Sequence, residues 1–233
     1  MLQAISTYTK SLIHFIFPHQ CEGCGTDILN EKDLLCTKCL HQLPATNFFL
    51  LPNNPVEKIF YGRTAIEHAA AAYYFTKESL LQHLLIQLKY RNNKNAGIAL
   101  GNQVGFLLNK ANRFATIDVL VPLPLNPKKE SKRGYNQATA ICEGITTIFN
   151  KPIILNAVER ILFTETQTKQ DRTHRWQNMQ HVFAVKNRTA IEGKHILLVD
   201  DVVTTGATLE ACAAVMNELP NTKVSIATVA YTI

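Results

Sequence analysis

The clearest apolar run in the chain is Ile196 to Val199, four branched residues with the length and β-branching of a buried parallel strand. Two acids, Asp200 and Asp201, stand at its carboxyl end, followed by Val202 and Val203. After them come only small residues, Thr204, Thr205, Gly206, Ala207 and Thr208, and then Leu209, Cys212, Ala213 and Met216 at helical spacing. The stretch predicts a strand, an acidic turn, a small-residue loop and a helix. Upstream, residues 69–75 predict a strand and Leu80 to Tyr90 an amphipathic helix with Leu81, Leu84, Leu85 and Leu88 on one face. A second helix is expected from about Ala96 to Leu108, a strand from Ile117 to Val121, a helix from Tyr135 to Ile145, and further strands near Ile153 and Val224. Strands alternating with helices predict the α/β class: a parallel sheet flanked by helices, with functional loops outside the carboxyl ends of the strands.

The amino-terminal residues behave differently. Leu2, Ile5, Tyr8, Leu12 and Phe15 mark a short amphipathic helix, and Lys10 together with the lack of a small-residue cleavage site argues against a signal peptide. No apolar run is long enough for a membrane span, so a cytoplasmic protein is expected. Of the six cysteines, four form two CxxC pairs, Cys21/Cys24 and Cys36/Cys39. Each pair puts two sulfurs on one tight turn, and four thiolates satisfy tetrahedral zinc. Residues 1–45 are therefore expected to hold a structural zinc module, with His19 and His41 near enough in sequence to be rival ligands but better suited to the surface. The Pro- and Asn-rich stretch 46–60 is expected as a linker, and 61–233 as the α/β domain.

At 233 residues, 46% hydrophobic, the chain can bury a core. Its net charge of +6 and sequence pI near 9.0 favour anionic partners, phosphorylated ligands or nucleic acid, without choosing between them. The acidic turn and small-residue loop narrow the choice. Small side chains, with Gly206 free to adopt positive φ, let consecutive backbone N–H groups converge on an anion at the positive end of a helix, and Thr204, Thr205 and Thr208 add hydroxyl donors. Paired carboxylates just before such a loop accept hydrogen bonds from vicinal hydroxyls and can hold magnesium. A ribose 5-phosphate moiety is the implied ligand. A second element points the same way: Lys128, Lys129, Lys132 and Arg133 surround Glu130 ahead of Gly134, and Pro122, Pro124 and Pro127 predict a loop there. A basic loop at a strand end suits pyrophosphate, although such a run serves equally as a solvated surface. The polar and basic segment 164–183 is either a loop that closes over a charged ligand or an ordinary exposed one.

The segment LLVDDVVTTGAT resembles the phosphoribosyl-pyrophosphate-binding motif of type I phosphoribosyltransferases. Together with VPLP, KRGYNQA, LKY and the double CxxC, the chain is similar over nearly its full length to the ComF family of predicted phosphoribosyltransferases, some of which are linked to DNA uptake in competence. The resemblance implies that Asp200 and Asp201 hold the ribose and magnesium, Thr204, Thr205, Gly206, Ala207 and Thr208 the 5-phosphate, and Lys132, Arg133 and Gly134 the pyrophosphate. It places Gln167, Arg172 and Arg175 in a flexible loop, although Gln170 stands where a leucine is common. It implies phosphoribosyl transfer from phosphoribosyl pyrophosphate to an unidentified nucleophile. The alternative is a DNA-uptake component that binds single-stranded DNA, or DNA-uptake proteins, and uses the fold as a sensor or scaffold. A third expectation is a regulator whose zinc module recruits a partner. No helix-turn-helix, Walker loop or Rossmann glycine fingerprint is present.

Overall fold

A computed structural model describes residues 20–29, 33–161 and 182–232. The chain forms two compact units, 1–43 and 44–233. The expected amino-terminal helix lies outside the described residues.

In the first unit, Cys21 to Thr26 form a tight turn: Gly25 N–H donates to the Cys21 carbonyl at 2.9 Å and Cys21 N–H to that of Thr26 at 2.8 Å. A short helix, Thr37–His41, follows Cys36. Among the described residues of this unit the buried apolar side chains are Cys21, Leu34, Cys39 and Leu43. Among the described residues, these two leucines are too few to make a self-sufficient core.

The second unit is built on a parallel sheet of β1 (Ala69–Phe75), β2 (Val119–Pro122), β5 (His195–Val203) and β6 (Lys223–Thr232), in the order β1-β6-β5-β2. A parallel bridge between Leu120 and Ile153 extends it past β2. All four strands are buried on both faces over most of their length, which explains the apolar run of β1, that of β2 and Ile196 to Val199 of β5, while β6 buries Ser225 and Thr228 as well. Helices α1 (Leu80–Tyr90) and α2 (Lys94–Lys110) connect β1 to β2. Helix α1 buries the four predicted leucines, and its Ser79 cap accepts from Gln82 N–H at 3.1 Å. Helices α3 (Pro127–Arg133) and α4 (Gln137–Phe149) follow β2. Helix α4 lies so close to α2 that a Cβ on Gly101 would stand 2.1 Å from the Ile141 carbonyl oxygen. The antiparallel strands β3 (Val158–Arg160) and β4 (Phe183–Val185) flank the undescribed residues 162–181, and α5 (Ala207–Asn217) links β5 to β6.

Three expectations differ from this architecture. Residues 46–60, expected as a linker, fold onto the sheet: Phe48, Phe49, Val56 and Phe60 are buried, and Asn54 Nδ2 donates to the Ala69 carbonyl at 2.8 Å. Their Pro and Asn residues make turns and a one-turn helix over an apolar surface, not a tether. The basic segment expected as a loop is helical, because Pro127 occupies the first helical position, where no N–H is needed, and Asn126 accepts from Lys128 N–H. Gly134 (φ 78°) ends that helix. Strand β5 also continues through the acids, since its parallel pairing with β6 persists from Asp200↔Thr228 to Val203↔Tyr231.

Candidate functional site

The strand order creates a crevice. From β2 the chain moves outward to Ile153, and from β5 it moves the other way to β6. These neighbouring strands are thus followed by connections that leave in opposite directions, and in open parallel sheets ligands bind outside the carboxyl ends of such a pair. Here those ends are Pro122, in register with Val199, and the Asp200–Asp201 pair just beyond it. Both elements singled out in the sequence therefore follow the two strands of one switch point.

The two acids are not equivalent. Asp201 is buried and pairs with Lys89 Nζ at 2.8 Å, a pair less than a third exposed on either side. Asp200 accepts the Asp201 N–H at 2.8 Å. Burial pushes its carboxyl well above the ordinary range, to about 8, and the Asp201 charge adds to the effect; the Asp201 N–H, Lys89 and Arg133 act against it. With the Asp200 carboxyl raised and Asp201 paired with Lys89, the acid pair repels an arriving anion less than two unpaired carboxylates would.

Arg133 is partly buried at the end of α3. Its Nη1 donates to Gln137 Oε1 at 2.6 Å and its guanidinium lies 5.5 Å from the Tyr90 ring centre. Tyr135 OH donates to the Leu88 carbonyl at 2.5 Å, so the carboxyl end of α1 and the end of α3 are locked together. Lys132 and Gly134 are exposed beside them, as are Lys128 and Lys129. After the acids, Thr204 and Thr205 are exposed between β5 and α5, and Thr208 and Ala207 are exposed in the first turn of α5. Gly206, at φ 73°, caps that helix in a conformation few other residues adopt. A Cβ there would stand 2.6 Å from Ile59 Cγ2. Gln167, Arg172 and Arg175 lie outside the described residues.

Two participants had weak signals in the sequence. Lys89 lay within the LKY motif, which said nothing of its pairing with Asp201. Arg63 carried no signal. Its Nη1 donates to the Thr205 carbonyl at 3.0 Å, and its other end pairs with Glu210.

In the first unit, one sulfur from each of Cys21, Cys24, Cys36 and Cys39 lies within 4.8 Å of the others. Cys24 and Cys36 sulfurs are 3.7 Å apart, far too distant for a disulfide but close to the roughly 3.8 Å edge of a tetrahedron with bonds of about 2.3 Å. Burial acts upward on both inner thiols. It carries Cys39 to about 12, helped by the neighbouring sulfurs. At Cys21 it is outweighed by the N–H groups of Cys36, Cys24 and Gly23, which bring that thiol down to about 6. These four residues fit a structural zinc ion, and His41 is exposed outside the group.

A family model described as the phosphoribosyl transferase domain matches residues 146–232, which contain β5, the acids and α5. Competence protein F of Haemophilus influenzae is 24% identical over 204 residues, 87% of this chain and 80% of that protein. Competence protein ComFC of Bacillus subtilis is 31% identical over 144 residues, 62% of this chain and 56% of that protein. DNA utilization protein YhgH of Escherichia coli O157:H7 is 27% identical over 199 residues, 84% of this chain and 83% of that protein.

Proposed function

For a chain that belongs to the ComF family of competence proteins, with a phosphoribosyltransferase-like domain and a four-cysteine module, we propose a role in DNA handling governed by phosphoribosyl pyrophosphate bound at the switch-point crevice. The observation that supports the ligand is that the acid pair with its Thr204–Thr208 loop and the segment ending in Arg133 follow two neighbouring strands, β5 and β2, whose connections leave in opposite directions. The names of the relatives support the process. In this reading Asp200 and Asp201 hold the ribose hydroxyls and magnesium. The backbone of Thr204 to Thr208 holds the 5-phosphate, and Lys132, Arg133 and Gly134 the pyrophosphate. Single-stranded DNA is the proposed macromolecular partner, attracted by the net charge of +6 and by the exposed lysines of α3.

A second reading, transfer of the phosphoribosyl group with release of pyrophosphate, is favoured by one observation. A cleft of about 520 Å³, lined by Pro124, Leu125, Tyr135, Asn136, Leu155 and Arg160 among others, adjoins Gly134 and could receive an acceptor. Catalysis would then come from positioning and from cations facing the departing pyrophosphate. The deciding experiment incubates the chain with phosphoribosyl pyrophosphate, magnesium and a panel of bases and amines, and follows pyrophosphate by mass spectrometry. Single-stranded DNA is titrated in parallel at several salt concentrations. DNA affinity that falls with salt and shifts with the ligand, without pyrophosphate release, is the expected result. Stoichiometric release against one acceptor would establish the transfer reading instead.

The protonated Asp200 gives a pH signature. Holding ribose hydroxyls or metal requires its ionised form, so binding should expel a proton below about pH 8. Affinity should rise with pH, by at most about tenfold per unit, and level off above that value. Calorimetry at pH 7 in buffers of different ionisation enthalpy should report proton release. A binding heat independent of buffer would contradict the role given to Asp200.

A further inference from the structure

We infer that Arg63 is a positioning residue for the phosphate loop, clamping it from behind so that its backbone donors face the crevice and cancelling an adverse charge beside it. The inference rests on the reading of Thr204–Thr208 as the 5-phosphate site.

Arg63 belongs to the segment that leads into β1. Its Nη1 donates to the Ile59 carbonyl at 3.1 Å and to the Thr205 carbonyl at 3.0 Å, and Nη2 pairs with the Glu210 carboxylate in the first turn of α5. One guanidinium thus joins three pieces of chain: the segment behind the loop, the loop itself and the helix after it. The planar fork of arginine can serve all three at once, which a lysine ammonium cannot do with the same geometry. The contact to Thr205 sets the orientation of a peptide plane. In a trans peptide the carbonyl and the next N–H point in opposite directions, so a Thr205 carbonyl held toward Arg63 turns the Gly206 N–H away from it. Gly206 is itself seated on the same backing segment, against Ile59 and Phe60. Loop and backing form one packed unit.

The ion pair adds an electrostatic effect. An acid in the first turn of a helix stabilises that helix, but Glu210 would also repel a phosphate arriving at the same end. Arg63 neutralises it. Arg63 is exposed, so no part of the core depends on it.

The test uses the full chain and two probes, ribose 5-phosphate for the loop and inorganic pyrophosphate for the Arg133 side, measured by calorimetry. Arg63→Ala should weaken ribose 5-phosphate about tenfold and leave pyrophosphate unchanged. Arg63→Lys, which keeps the charge but not the fork, should fall between. Glu210→Gln keeps both carbonyl contacts and removes the repulsion, so it should bind ribose 5-phosphate at least as tightly as wild type. That variant keeps the proposal testable even if Arg63→Ala fails to fold. Unchanged ribose 5-phosphate affinity in Arg63→Ala would overturn the inference. So would an equal loss for both probes, which is the signature of general destabilisation. A wild-type chain that binds neither probe removes the anion site and this inference with it, a pattern distinct from one in which wild type and Arg63→Ala bind alike.

Discussion

The double variant Asp200→Asn, Asp201→Asn is expected to lose about two orders of magnitude or more in affinity for phosphoribosyl pyrophosphate with magnesium while remaining folded. Each substitution removes a charged acceptor whose hydrogen bonds are worth about 1.5–3 kcal/mol, and magnesium loses its carboxylates as well. The fold should tolerate the change. The amide introduced at position 201 keeps a carbonyl oxygen within reach of Lys89, and the one at position 200 is neutral like the protonated acid it replaces. The linkage has a definite sign. The pKa of Asp200 is raised on folding, so its contribution to stability is fully present below the unfolded carboxyl value and is lost as pH rises through about 8. Asp200→Asn alone should therefore melt close to wild type near pH 4 and above it by a margin that grows towards pH 9. Thermal melts at the two pH values, with calorimetry for the ligand, check both halves. Retained affinity in the double variant would contradict the site.

The second large effect concerns the four-cysteine module. Its described residues bury only Leu34 and Leu43 besides the inner cysteines, so their order is expected to depend on a bound metal. Structural zinc in small modules contributes about 10 kcal/mol or more to folding, beyond anything two leucines supply. A strong chelator should release one zinc per chain and abolish amide protection across residues 20–43. The same loss is expected in Cys21→Ser with Cys39→Ser. Hydrogen exchange followed by mass spectrometry, with a colorimetric zinc assay, measures it; protection that survives metal removal would contradict the zinc assignment.

What the sequence made legible was local chemistry. The run from Ile196, the helix from Leu80, the two CxxC pairs and the small residues after Val203 are each contiguous in the chain, and each declares itself through composition, period or spacing. The parallel sheet followed from their alternation. What stayed hidden depended on distant chain segments or on competing rules. Pro127 argued for a loop until its place at the first turn of α3 made it a helix start. The Pro and Asn residues of 46–60 suggested a tether, although Phe48, Phe49 and Phe60 needed a surface to cover. Asp200 and Asp201 read as a turn, whereas the strand runs through them, with Asp201 paired with Lys89 and Asp200 accepting the Asp201 N–H. That lysine and Arg63 act across long stretches of sequence, where no periodicity connects them to their partners.

The central claim is that phosphoribosyl pyrophosphate occupies the crevice between the ends of β2 and β5. Isothermal titration of the full chain with phosphoribosyl pyrophosphate in the presence of magnesium tests it most directly. The account predicts saturable binding of one ligand per chain, accompanied by proton release at pH 7. No heat of binding at any pH between 7 and 9, from a folded and zinc-loaded protein, would contradict it.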